Sequence, residues 1–165
     1  MDQFKYYAPT RILFGKNTEA EVGELCQAQG AGKVLVHFGG SSAQRSGLLD
    51  RICQSLQAAG LPYVTLGGVV PNPRLSKVYE GIELCKREQV DFILAVGGGS
   101  VIDSAKAIGY GITNPGDVWD YYSGKAPQAC APVGAVLTIA AAGSEMSNAS
   151  VITNEDGWLK RGLQS

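Results

Sequence analysis

The chain has 165 residues and a mass of 17.3 kDa, with 45% hydrophobic and 18% charged residues, a balance that excludes intrinsic disorder. Fourteen basic and fifteen acidic residues leave a net charge of −1, which excludes the basic footprint of a nucleic-acid-binding protein. No apolar run approaches the ~18 residues of a membrane span, and Met1-Asp2-Gln3-Phe4-Lys5 lacks the apolar stretch of a secretory signal, so a cytoplasmic chain without nucleic-acid or membrane partners is expected.

Arg11-Ile-Leu-Phe14 reads as a short strand. Thr18 and Glu21 stand at capping-box spacing, which predicts a helix from Thr18 to about Gln29, stopped by Gly30. Lys33 to Phe38 is an apolar strand ending in Gly39-Gly40. Gly47 to Ala59 is amphipathic, with Leu48, Leu49, Ile52, Leu56 and Ala59 on one stripe. Tyr63 to Leu66 is a third strand. Pro71-Asn72-Pro73 predicts extended backbone and removes two N–H donors. Arg74 to Gln89 is a helix with Leu75, Val78, Ile82 and Cys85 inward, and Phe92 to Val96 is apolar throughout, as a strand covered on both faces should be. Gly97-Gly98-Gly99 ends that strand, and a helix runs from Ser100 to about Tyr110. Asp117 to Tyr122 reads as a helical turn, either covering a pocket or ordinary. Val133 to Ile139 is a further strand, and Val151 to Thr153 a last short one.

This alternation predicts one α/β domain over residues 1–165: Rossmann-like and doubly wound, a mostly parallel sheet with helices on both faces. A folded chain of this mass exposes roughly 7,800 Å², enough burial for a core without disulfide or metal staples. Cys26, Cys53, Cys85 and Cys130 form no CxxC pair and suggest a reducing compartment; the first three read as small buried hydrophobes. His37 is the only histidine, and no cysteine or carboxylate cluster accompanies it, so no metal site is expected within this sequence.

In parallel sheets, ligands sit beyond the carboxyl ends of the strands. Three small-residue turns fall there. The first is Gly97-Gly98-Gly99-Ser100, where a strand enters a helix start. Uncovered amides and the positive end of the helix dipole suit a pyrophosphate. The same residues also fit a tight turn capped by Ser100, with Asp103 at capping-box spacing and Asp103–Lys106 as an i,i+3 pair. It matches neither GxGxxG nor a P-loop. The second turn is Gly39-Gly40-Ser41-Ser42, followed by Arg45. A carboxylate at such a position holds a ribose 2′-hydroxyl and repels a 2′-phosphate. Here there is none, which favours NADP over NAD if a dinucleotide binds; a plain strand–helix turn remains the alternative. The third, Thr138 to Glu145, has hydroxyls and small residues that could line a flat ligand or pack a strand exit.

Together these residues resemble the iron-containing (group III) alcohol dehydrogenases, particularly their butanol dehydrogenase branch. The matching pieces are Pro9–Gly15, Gly39-Gly40-Ser41, Val70–Pro73, the GGGSxxDxxK run Gly97–Lys106, Asp117–Asp120, Gly143–Glu145 and Leu159–Gly162. The resemblance implies a nucleotide-binding α/β domain that a helical metal domain would follow. It implies cofactor contacts from Gly39, Gly40, Ser41, Ser42 and Asn72 near the adenosine ribose. Gly97, Gly98, Gly99, Ser100 and Asp103 match the pyrophosphate turn, and Thr138, Ser144 and Lys160 match positions near the ribose and nicotinamide. NADP(H) is expected as the preferred cofactor, with NAD(H) possible, and an alcohol or aldehyde as substrate. The family's metal ligands, one Asp and three His holding Fe2+ or Zn2+, are expected beyond Ser165, so this chain should carry no catalytic residue and be inactive alone. A homodimer is also implied. Ala142 stands where many members carry a threonine, which removes one hydroxyl. A glycerol dehydrogenase or dehydroquinate synthase-like relative, or a non-catalytic dinucleotide-binding module, is the alternative.

Overall fold

A computed structural model describes residue 3 and residues 7–165. Strands β1 (Val34–Phe38), β2 (Tyr63–Leu66), β3 (Phe92–Gly97) and β4 (Val133–Leu137) form a parallel sheet in the order β2-β1-β3-β4. The register pairs Val34 with Tyr63 on one side and with Phe92 on the other, and Ile93 with Val133. The two central strands are buried along nearly their whole length. Apart from His37 their sequence is apolar, and that follows from their position: a strand covered on both faces has no solvent-facing side.

Helices α1 (Val22–Ala28) and α3 (Leu48–Ala58) lie on one face of the sheet. They enclose a core of Val22, Val34, Val36, Ile52, Leu56 and Leu94. Helices α4 (Leu75–Glu88) and α5 (Gly99–Thr113) lie on the other, around Leu35, Val78, Ile93, Ile102 and Ile108. Alternate residues of β1 therefore feed different cores, as a two-residue side-chain period requires. The short helices α2 (Ser42–Arg45) and α6 (Val118–Tyr121) complete the set; Asp117 caps the latter by accepting from the Trp119 N–H at 2.9 Å.

Several local expectations are corrected. Arg11–Phe14 forms no strand; Ile12 and Phe14 are exposed, and neither outer edge of the sheet pairs with this segment. An extended apolar tetrapeptide gains little without a neighbour to complete its hydrogen bonds. The capping box also fails. Residues Thr18–Glu21 are a 3-10 turn, and the Thr18 hydroxyl donates to the Gly15 carbonyl. Glu19 instead pairs with Arg51 on α3 at 2.9 Å. Val151–Thr153 is a strand, as expected, and stands outside the parallel sheet. It belongs to β5 (Ala149–Asn154), which pairs antiparallel with β6 (Leu159–Gln164) in a separate hairpin packed on α5. Ile152 enters the α4/α5 core, and the Tyr122 hydroxyl meets the Ser150 hydroxyl at 2.6 Å.

All four cysteines are free; Cys26 and Cys85 are buried, Cys53 is half-buried and Cys130 exposed. The chain exposes 9301 Å², about a fifth more than a compact monomer of its mass. Exposed Ile12, Phe14, Ile139 and Trp158 contribute to that excess.

Candidate functional site

From β1 the chain moves outward to β2, then returns past β1 to β3 and on to β4. The direction of winding reverses between β1 and β3. Carboxyl-end loops diverge at such a point and leave a crevice. The two glycine turns flank it, since Gly39-Gly40 follows β1 and Gly97-Gly98-Gly99 closes β3. Because all four strands are parallel, the loops carrying Asn72, Thr138 and Ser144 open at the same end.

The glycines differ in what holds them. A Cβ on Gly97 would lie 2.5 Å from Val101 Cγ2, so core packing alone requires glycine there. On Gly98 it would meet the exposed Ile139 side chain at 2.9 Å, and on Gly99 its nearest neighbour would be Ser144 Cβ at 3.9 Å. Gly40 has no atom within 4 Å of that position. At exposed Gly40 and half-buried Gly99, packing thus does not require glycine.

Helix α5 starts at this corner with Gly98 as its N-cap, in extended conformation. Ser100 does not cap it, correcting the tight-turn reading. The first backbone bonds run from the Val101 and Ile102 N–H groups to the Gly98 carbonyl. The amides of Gly99 and Ser100 precede them and are the orphan donors of a helix start. On the β1 side of the reversal, the Arg45 guanidinium donates to the Ser41 hydroxyl at 2.6 Å, so one positive charge stands beside Ser41 and Ser42.

The charged residues of the GGGSxxDxxK run part company, and the expected Asp103–Lys106 ion pair does not form. Asp103 accepts from the Ser144 hydroxyl at 2.6 Å and from the Val151 N–H at 3.1 Å. Lys106 Nζ donates to the carbonyls of Ser144, Ser147 and Ala149 at 2.7, 2.8 and 2.8 Å. Burial lowers the Lys106 pKa, opposed chiefly by the negative charge of Asp103. Thr138 is exposed, and its N–H donates to the Gly97 carbonyl at 3.1 Å, so β4 exits directly beside the triplet.

Asn72 and Lys160, 88 positions apart, meet at 2.7 Å through Oδ1 and Nζ. Asn72 is not extended, as a residue before proline should be; its φ is 56°, a left-handed conformation that asparagine tolerates better than most residues. The β5–β6 hairpin delivers Lys160 there, docked by the Thr153 N–H donating to the Pro73 carbonyl at 2.9 Å. The anchoring roles of Lys106 and Val151 were missed from sequence. The former carried only a spacing signal toward Asp103, and the latter none.

His37 lies behind the corner, fully buried. Nδ1 contacts the Leu66 carbonyl and Nε2 the Ser104 hydroxyl, each at 2.9 Å. A carbonyl only accepts, so Nδ1 carries the proton and Nε2 accepts. Burial pulls the His37 pKa down to about 4 from 6.5. The unfolded chain takes up this proton first as pH falls, so the stability is complete above pH 6.5 and is lost on acidification toward pH 4. The expected contribution is about 3 kcal/mol. Urea unfolding at pH 7, 5 and 4 checks it: the decline should be shallower in His37→Asn, and an identical decline in both chains would exclude His37 as its source.

A cavity of about 380 Å³ lies at the opposite end of the sheet, near Asp91, Cys130 and Pro132. None of the predicted site residues lines it. Among the described residues no three His, Cys, Asp or Glu side chains converge to hold a metal, so these residues do not fit a metal centre.

The winding order and the turns at its reversal are those of a Rossmann-like α/β domain. The sequence matches the family model for iron-containing alcohol dehydrogenases over residues 9–165. It is 46% identical over 166 residues to a probable NADH-dependent butanol dehydrogenase of Bacillus subtilis, covering 100% of this chain and 43% of the relative. It is 34% identical to the NADPH-dependent aldehyde reductase YqhD of Escherichia coli, with coverage of 100% and 43%. The crystal structure of NADH-dependent butanol dehydrogenase A from Thermotoga maritima superposes with a TM-score of 0.96 at 43% identity, covering 100% of this chain and 42% of that one. The chain belongs to the iron-containing alcohol dehydrogenase family. It spans less than half the length of these relatives.

Proposed function

We propose that residues 1–165 form the dinucleotide-binding half of an alcohol dehydrogenase or aldehyde reductase that prefers NADP(H). The observation that carries this reading is the pair of glycine turns flanking the β1/β3 reversal, with backbone open at Gly40 and Gly99. Gly98, Gly99 and Ser100 would hold the pyrophosphate through main-chain amides and the helix dipole. Gly39, Gly40, Ser41 and Ser42 would hold the adenosine ribose, Asn72 would stand nearby, and Thr138, Ser144 and Lys160 would border the ribose and nicotinamide, with Lys160 reaching Asn72. Asp103 acts through Ser144, which it already binds. Bound dinucleotide supplies the hydride; this chain supplies grip and orientation. The metal, Fe2+ or Zn2+, and most of the substrate pocket are assigned to the part of the relatives' length that this sequence does not match, so the chain by itself should not turn over alcohols.

The relatives' names divide between NADH and NADPH. The preference for NADP(H) is supported by charge: the turn after β1 carries no carboxylate, while Arg45 stands beside Ser41. Calorimetric titration with NADPH and NADH tests the reading. Saturable binding of one dinucleotide per chain is expected, tighter for NADPH; absence of binding with both would overturn it. Gly40→Asp places a carboxylate where nothing crowds the new side chain. It should lower the ratio of NADPH to NADH affinity about tenfold, or about 1.4 kcal/mol. An unmoved ratio would remove Gly40 from the ribose subsite.

A further inference from the structure

The third turn is anchored at both ends. At its start, the Thr138 N–H is tied to Gly97. At its end, the segment from Ser144 to Val151 lies along α5, held there by Asp103 and Lys106. Between the anchors run Ala140-Ala141-Ala142, all exposed, and Gly143 at φ 76°. This stretch has little of its own to define where it stands. Yet it walls the open amides: Ile139 abuts the Cβ position of Gly98, and Ser144 that of Gly99.

Lys106 is suited to this task. A lysine ammonium has three N–H donors, and here they go to three carbonyls from three different residues. Each bond is charge-assisted and short. Resting on the dinucleotide reading above, we propose that Lys106 is a positioning residue: by holding Ser144, Ser147 and Ala149 against α5, it fixes the 139–144 wall and so the fit of the pyrophosphate and nicotinamide half of the cofactor. Its effect should be absent at the adenosine end, which lies at the Gly39–Ser42 turn after β1.

That asymmetry separates positioning from general structural support. The chain and its Lys106→Met variant are each titrated with NADPH and with adenosine 2′-phosphate, which lacks both the pyrophosphate and the nicotinamide half. The variant should lose about tenfold or more in NADPH affinity and less than about twofold for adenosine 2′-phosphate. Equal losses for both ligands, or an unchanged NADPH affinity, would overturn the proposal. Should the variant fail to fold, hydrogen exchange on the unmodified chain decides the matter. NADPH should slow exchange at residues 143–148 and adenosine 2′-phosphate should not; no slowing by NADPH overturns the role of this wall. Binding of neither ligand by the unmodified chain is a different result, and it defeats the dinucleotide reading along with this one.

Discussion

Gly98→Val should abolish dinucleotide binding while leaving the chain folded. The position is in extended conformation at the N-cap of α5, where valine meets no backbone strain. Its Cβ would come within 2.9 Å of one atom, Cγ2 of the exposed Ile139, which has room to turn away. What the branched side chain does fill is the space in front of the Gly99 and Ser100 amides. A phosphate excluded from them loses charge-assisted hydrogen bonds and the dipole together, so affinity for NADPH should drop by about a hundredfold or more, roughly 3 kcal/mol. Far-UV circular dichroism should remain native. A variant that binds NADPH as tightly as the unsubstituted chain would remove the triplet from the binding site. The neighbouring Gly97 offers no such test, because a side chain there collides with Val101.

Gly23→Ala should be the most damaging of the conservative substitutions. Gly23 lies on α1 where it crosses α3, and a methyl group there would sit 2.2 Å from the Ser55 carbonyl oxygen and 2.7 Å from its carbon. Backbone cannot swing aside as a side chain can. The same crossing is locked by the Gly23 N–H donating to the Ser55 hydroxyl at 2.9 Å, and by that hydroxyl donating to the Ala20 carbonyl at 2.6 Å. The two helices must separate, and the Val22 and Cys26 packing opens with them. A loss of about 3 kcal/mol is expected, at the upper end for overpacking, despite alanine's better helix propensity. Urea unfolding measures it; a loss below about 1 kcal/mol would mean that the crossing is looser than described.

The elements around the candidate site were legible because each announces itself locally. Phe92–Val96 is an apolar run closed by glycines, and it is β3. The stripe of Leu49, Ile52 and Leu56 is the buried face of α3. The predicted Arg74–Gln89 helix is α4 within a residue at either end. What failed was pairing. Thr18 and Glu21 had capping-box spacing, but Glu19 and Arg51 used the local charge differently. Asp103 and Lys106 had ion-pair spacing, but both reach the 144–151 segment instead. Asn72 precedes a proline, yet it turns left-handed and meets Lys160.

By itself, the order of residues determined the alternating α/β plan, the glycine turns after β1 and β3, and the family to which the chain belongs. Hydrophobic period, helix stops and missing Cβ atoms act within a few residues and are written into any stretch of chain. Only the tertiary structure decided that the winding reverses between β1 and β3, that Gly97 serves packing while Gly99 stands open, and that Lys106 ties down a wall some forty positions away. A polar side chain bonds whichever partner the packed helices bring within reach, and spacing along the chain does not record that partner.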